Sequence, residues 1–172
     1  VDASEVLTWL NDSDTEVSVL RFHLYLNAFK NNRSTFMKER GGPGPSRREE
    51  WGRIDVTRIA ILDGADLTAT MTFVQPDDDN ADDRTVMQVS LPAPVKPGER
   101  ITLAIDFRSK LPRVMARSGY VGDFFMVGQW FPKIGVLQNG GAWNCHQYHG
   151  ASEFFADYGA FKVAITVPAK FV

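Results

Sequence analysis

The stretch Glu16-Val17-Ser18-Val19-Leu20-Arg21-Phe22-His23-Leu24-Tyr25-Leu26-Asn27 decides the fold class. Leu20, Phe22, Leu24 and Leu26 alternate in it with Val19, Arg21, His23 and Tyr25. Successive side chains of a strand point to opposite faces, so a period of two gives one leucine-rich face to bury and one mixed face to show. Working outward, residues 6–10, 53–62, 67–74, 85–91 and 100–107 read the same way. Turn residues such as Asp63-Gly64 and Lys96-Pro97-Gly98 bound them. Many short strands so spaced predict an all-β chain, an antiparallel β-sandwich or a related layered sheet, with at most a short helix. The best helical candidate is residues 34–40, where Ser34 caps and Gly41-Gly42 stops it.

Composition narrows the function classes. The 172 residues are 44% hydrophobic, enough for one domain with its own core. Nineteen basic side chains stand against 21 acidic ones, without the basic excess of a nucleic-acid binder. The single Cys145 rules out a disulfide-stapled scaffold and leaves the compartment open. No apolar run approaches the ~20 residues of a membrane-spanning helix. The first residues lack the basic start and apolar run of a signal peptide, and lack Met, so the chain reads as cut from something longer.

Two loops invite chemistry and decline it. Residues 41–48 are rich in Gly and Pro but lack the Gly-Lys-Ser/Thr ending of a phosphate loop, and read as a mobile linker insertion. Residues 76–83 hold five aspartates, the ligand type that hard cations take. The Gly and Glu of a calcium loop are missing at its sixth and twelfth positions, and the run reads as a solvated hairpin loop.

Cys145, His146 and His149 are three donors of the kind zinc accepts, with His23 or a distant carboxylate as a fourth. On a strand His146 and His149 face opposite sides, and the flanking Gly140-Gly141 and Gly150 oppose a helix, so no metal site is assigned. Cys145 and His146 point apart as strand neighbours, and neither a His-Glu-x-x-His nor a Gly-x-Ser-x-Gly motif occurs, so no catalytic residue is assigned. Eleven of the 20 aromatic residues fall between Tyr120 and Phe161. They suit core packing, an interface with an adjoining domain, or a ligand platform.

Specific stretches carry a resemblance. Trp9-Leu10-Asn11-Asp12-Ser13 followed by Leu20-Arg21-Phe22-His23-Leu24-Tyr25-Leu26-Asn27-Ala28-Phe29 resembles the opening strands of zinc aminopeptidases of the M1 family. Gly128-Gln129-Trp130-Phe131-Pro132-Lys133-Ile134-Gly135-Val136, then Trp143-Asn144, Glu153-Phe154-Phe155-Ala156-Asp157-Tyr158-Gly159 and Phe161-Lys162-Val163-Ala164-Ile165-Thr166-Val167-Pro168, is similar to a bacterial branch of that family. Lys96-Pro97-Gly98-Glu99-Arg100 and Leu111-Pro112 fit the intervening strands, whereas residues 40–52 match least.

The resemblance implies that residues 1–172 are a single domain, a fragment of the amino-terminal, saddle-shaped β-domain of an M1-like metallopeptidase, with Val1 and Val172 as fragment ends. Its partner would be the catalytic domain of the same polypeptide, outside this sequence, which would carry the zinc and the general-base glutamate. This chain would carry no cofactor. Gln129 is the positional match for the residue that accepts hydrogen bonds from the amino terminus of a peptide substrate. Trp130, Phe131, Trp143, Phe154 and Phe155 are candidate anchors at the domain interface. The alternative is a carbohydrate- or protein-binding β-sandwich module that uses the aromatic cluster 120–161. Localisation stays open.

Overall fold

The computed structural model describes residues 1–41, 43–47 and 50–171; Gly42 and Arg48 of the linker reading, and Val172, lie outside the described residues. In chain order the strands are β1 (Asp2–Leu10), β2 (Val17–His23), β3 (Arg53–Ile61), β4 (Met71–Phe73), β5 (Val86–Val95), β6 (Arg100–Lys110), β7 (Gly119–Val121), β8 (Phe124–Met126), β9 (Lys133–Ile134), β10 (Val136–Leu137) and β11 (Trp143–Asn144), with one helix, α1, at Thr35–Arg40. The ladders are antiparallel. β1, β6 and β3 form a three-stranded sheet, β4, β5, β2 and β9 a four-stranded one, and β7–β8 and β10–β11 are short two-stranded ribbons.

The two larger sheets share one core. In β6, Leu103, Ile105 and Phe107 are buried while Arg100 and Arg108 face out, as period-two alternation requires. They join Ile54 and Ile59 of β3, Leu20 and Phe22 of β2, and Met87 and Val89 of β5 in a single buried cluster. This is the all-β, sandwich-like arrangement that the alternation predicts.

The strand reading of residues 16–27 holds only to His23. Tyr25–Phe29 form a 3-10 turn with all five side chains buried. Asn27 makes the turn affordable: its Nδ2 donates to the Arg84 carbonyl at 2.9 Å and its Oδ1 accepts from Ile54 N at 3.0 Å. The 67–74 strand likewise shrinks to Met71–Phe73, because Thr68–Thr70 curl into a 3-10 turn held by Thr68 N donating to Asp66 Oδ1 at 2.8 Å. Helix α1 starts and stops on its sequence signals. Ser34 Oγ accepts from Met37 N at 3.3 Å, and Gly41 sits at φ 65°, a left-handed value glycine tolerates.

The aspartate-rich loop does join β4 to β5, but it is not simply solvated. Asp83 is fully buried and accepts from Thr35 N at 3.0 Å, Thr85 N at 2.8 Å and Thr85 Oγ1 at 2.5 Å. Asp78 accepts from Thr35 Oγ1 at 2.8 Å. The loop braces the start of α1.

Candidate functional site

After β11 the chain runs without strand pairing through residues 145–160, and this strap is fastened to three other segments. Tyr148 is buried and stacks on Phe36 of α1 at 5.0 Å and on Phe154 at 4.8 Å between ring centres. Buried Gln147 donates Nε2 to Asp78 Oδ1 at 2.8 Å and to Thr35 Oγ1 at 3.0 Å, and its Oε1 accepts from Asp77 N at 3.1 Å. Asp77 in turn accepts from Gln147 N at 2.7 Å.

Both histidines of the strap meet that same carboxylate. His146 Nδ1 lies 2.5 Å from Asp77 Oδ1, and His149 Nε2 lies 3.1 Å from Asp77 Oδ2. The other nitrogen of His149 is 2.6 Å from Glu39 Oε1, while Gly150 N donates to Glu39 Oε2 at 2.8 Å. The expectation that His146 and His149 point apart assumed a strand. Residues 145–150 are not one, and the irregular backbone turns both rings onto Asp77.

The electrostatics follow from these contacts. Burial raises the pKa of Asp77 and Glu39, but the hydrogen bonds from His146 and His149 to Asp77, and from His149 and Gly150 N to Glu39, outweigh it and hold both below the usual range. Burial disfavours charge on His149, yet Glu39 and Asp77 together raise its pKa. The result is an imidazolium bracketed by two carboxylates.

His23 sits behind this group. It is 2% exposed, stacks on Tyr25 at 4.6 Å, and neither ring nitrogen has a hydrogen-bond partner among the described residues. A main-chain group of His146 comes near the ring without reaching hydrogen-bond geometry. Burial, helped by the charges of Lys133 and His146, pushes its pKa down to about 4, so the ring is neutral. His23, Tyr25, Asp77, His146, Gln147 and His149 line one cleft of about 370 Å³. Among the described residues no group of three or more His, Cys, Asp or Glu side chains is arranged to hold a metal ion. Cys145 is buried, and burial pushes its thiol up to about 12, so it is a protonated packing group rather than a nucleophile or thiolate ligand.

The residues chosen from sequence lie elsewhere, apart from Phe155, which lines this cleft. Gln129 adopts φ 52°, and its Oε1 accepts from the Lys133 ammonium at 2.8 Å. Trp130 packs on Phe107 at 5.7 Å, and its carbonyl accepts from Ser109 Oγ. Phe131 meets Trp130 at 5.7 Å and Phe161 at 6.0 Å. Trp143 donates Nε1 to the Val19 carbonyl at 3.0 Å and packs on Trp9 at 5.8 Å. Phe154 is wedged between Tyr25 and Tyr148, whereas Phe155 is about half exposed. Sequence reasoning did not single out Glu39, Asp77, Gln147 or Tyr25 for this site. The paired histidines were visible, but nothing in the chain order says which carboxylates meet them. Comparison with family models, with curated proteins and with solved structures found no match.

Proposed function

We propose that this chain is the non-catalytic amino-terminal β-domain of an M1-like zinc aminopeptidase, packing on the catalytic domain of the same polypeptide and shaping its substrate cleft. One observation carries the docking half of this reading: an uncovered apolar face. Phe124, Phe125 and Met126 of β8 are exposed, and so are Phe161, Val163, Ile165 and Val167. Residues 161–167 alternate like a strand yet pair with no strand among the described residues, an arrangement that soluble domains cover. Phe171, just beyond this segment, packs on Phe125 of β8 at 5.6 Å, and Phe161 packs on Phe131 at 6.0 Å. The motif order set out above names the occupant.

Gln129 suits the role its position implies. Its side-chain oxygen already accepts from an ammonium, that of Lys133, and a substrate α-ammonium presents the same chemistry. Zinc would belong to the companion domain, where such an ion polarises a scissile carbonyl and activates water. A glycan platform has less support, because Trp9, Trp51, Trp130 and Trp143 are each partly buried against the core.

The test is the reading frame downstream of Val172. A His-Glu-x-x-His motif followed by a further glutamate supports the proposal, and Phe124→Asp or Ile165→Asp should then weaken association of the two co-expressed domains. A frame that closes without such a motif overturns it.

A further inference from the structure

We infer that the cleft beside the turn at residues 115–118 binds a small oxyanion, a carboxylate or phosphate group, gripped by Arg117 and Arg40. The argument begins with a broken local rule. Met115 N donates to the Ser118 carbonyl and Ser118 N to the Met115 carbonyl, both at 2.9 Å, closing a two-residue hairpin. Its central residues, Ala116 at φ 41° and Arg117 at φ 64°, both occupy the left-handed region. That is the mirror-image turn whose favoured sequence is Asn-Gly, and Ala-Arg is a poor choice for it. Val114, β-branched, adds φ 21° just before. Three strained non-glycine residues in four positions are unfavourable unless they position something, and such strain concentrates at ligand clamps.

What the turn positions is a guanidinium. Arg117 lines a cleft of about 560 Å³ together with Arg40, Val114, Met115, Ser152 and Glu153. Its guanidinium lies 2.7 Å from the Glu153 carboxylate and 5.6 Å from the Phe154 ring centre. Both members of the Arg117–Glu153 pair are largely exposed, at 63% and 74%, and exposed ion pairs are weak. Glu153 is thus a displaceable carboxylate standing where a ligand's oxyanion would stand. The guanidinium of Arg40, the last residue of α1, makes no ion pair or hydrogen bond with any other described residue. Its neighbour Glu39 does not neutralise it, being taken by His149 and Gly150 N. Two planar guanidinium forks match pairs of oxygens on a carboxylate or phosphate group, with Glu153 as the carboxylate that the ligand displaces.

The 172-residue chain is titrated calorimetrically with inorganic phosphate and, separately, with citrate at constant ionic strength. Saturable one-site binding is expected for at least one probe, and which probe binds separates the phosphate source from the carboxylate source. Arg117→Gly should raise the melting temperature by relieving the turn and weaken binding at least tenfold. Ala116→Asn should raise the melting temperature, because Asn tolerates the left-handed region better than Ala. Arg40→Ala should weaken binding without altering the fold, and Glu153→Gln should tighten it. The inference fails if neither probe binds saturably, if Arg117→Gly binds as the parent does, or if Arg117→Gly lowers the melting temperature.

Discussion

The Tyr25 hydroxyl donates to the Phe155 carbonyl at 3.1 Å and accepts the Phe155 N–H at 3.0 Å, so one side chain stands in for a strand partner across 130 positions of sequence. Burial pushes the phenol up to about 12, with the Phe155 bond pulling the other way, and Tyr25 stays protonated and able to donate. It is the last fastening of the strap before the exposed segment begins.

Replacing Tyr25 by Phe keeps the ring stack on His23 and removes both bonds. The expected loss is about 1–2 kcal/mol, confined to the strap. Native-state hydrogen exchange checks it: the Phe155 amide should exchange faster while the β6 amides keep their protection. Uniform acceleration would mean that the strap and the sandwich unfold together.

Glu5 lies on the inner face of β1, between Ala3 and Leu7 and opposite Ile105. Burial raises its carboxyl to about 7. Because the folded value exceeds the ordinary 4.5, the native state holds the extra proton, and stability falls as pH rises from about 4.5 to 7. Glu5→Gln should therefore be stabilising by roughly 1–3 kcal/mol at pH 8 and nearly neutral at pH 4.5. Urea denaturation of both proteins at the two pH values measures the difference.

His23 has the opposite slope. Its folded value of about 4 lies below the ordinary 6.5, so the unfolded chain binds the extra proton and stability falls as pH drops from 6.5 to 4. The cost accumulates to the order of 3 kcal/mol by pH 4. His23→Leu should lose that acid sensitivity. Between about pH 4.5 and 6.5 the His23 and Glu5 effects oppose each other, so each single variant should show a steeper pH profile than the parent.

The bracket around His149 has a window of its own. The imidazolium contributes fully below the ordinary 6.5, and that contribution is lost as pH rises through its raised folded value. The lowered Asp77 and Glu39 contribute above their ordinary values of 3.8 and 4.5, and lose that contribution as pH falls through their folded values. Asp77→Asn should cost on the order of 2 kcal/mol near pH 6 and lower the His149 pKa. Following the His149 ring signal by NMR during a pH titration reads that shift directly; an unchanged pKa would remove Asp77 from the bracket.

Sequence alone determined what depends on neighbours in the chain. Alternation from Val17 to His23 and through β6 dictates strands because side-chain direction flips at every residue. Ser34 and Gly41 delimit α1 because capping and left-handed φ are local needs. Tertiary structure decided where local preference competes with distant partners. Asn27 turned an alternating run into a 3-10 turn because Arg84 and Ile54 offered it backbone groups. His146 and His149 converged on Asp77 because the strap leaves the sheet, so strand periodicity no longer governs where their side chains point. The ionisation of Glu5, His23 and His149 belongs to the same class: each is set by surroundings assembled from distant parts of the chain, and dielectric and charge act through space rather than along the sequence.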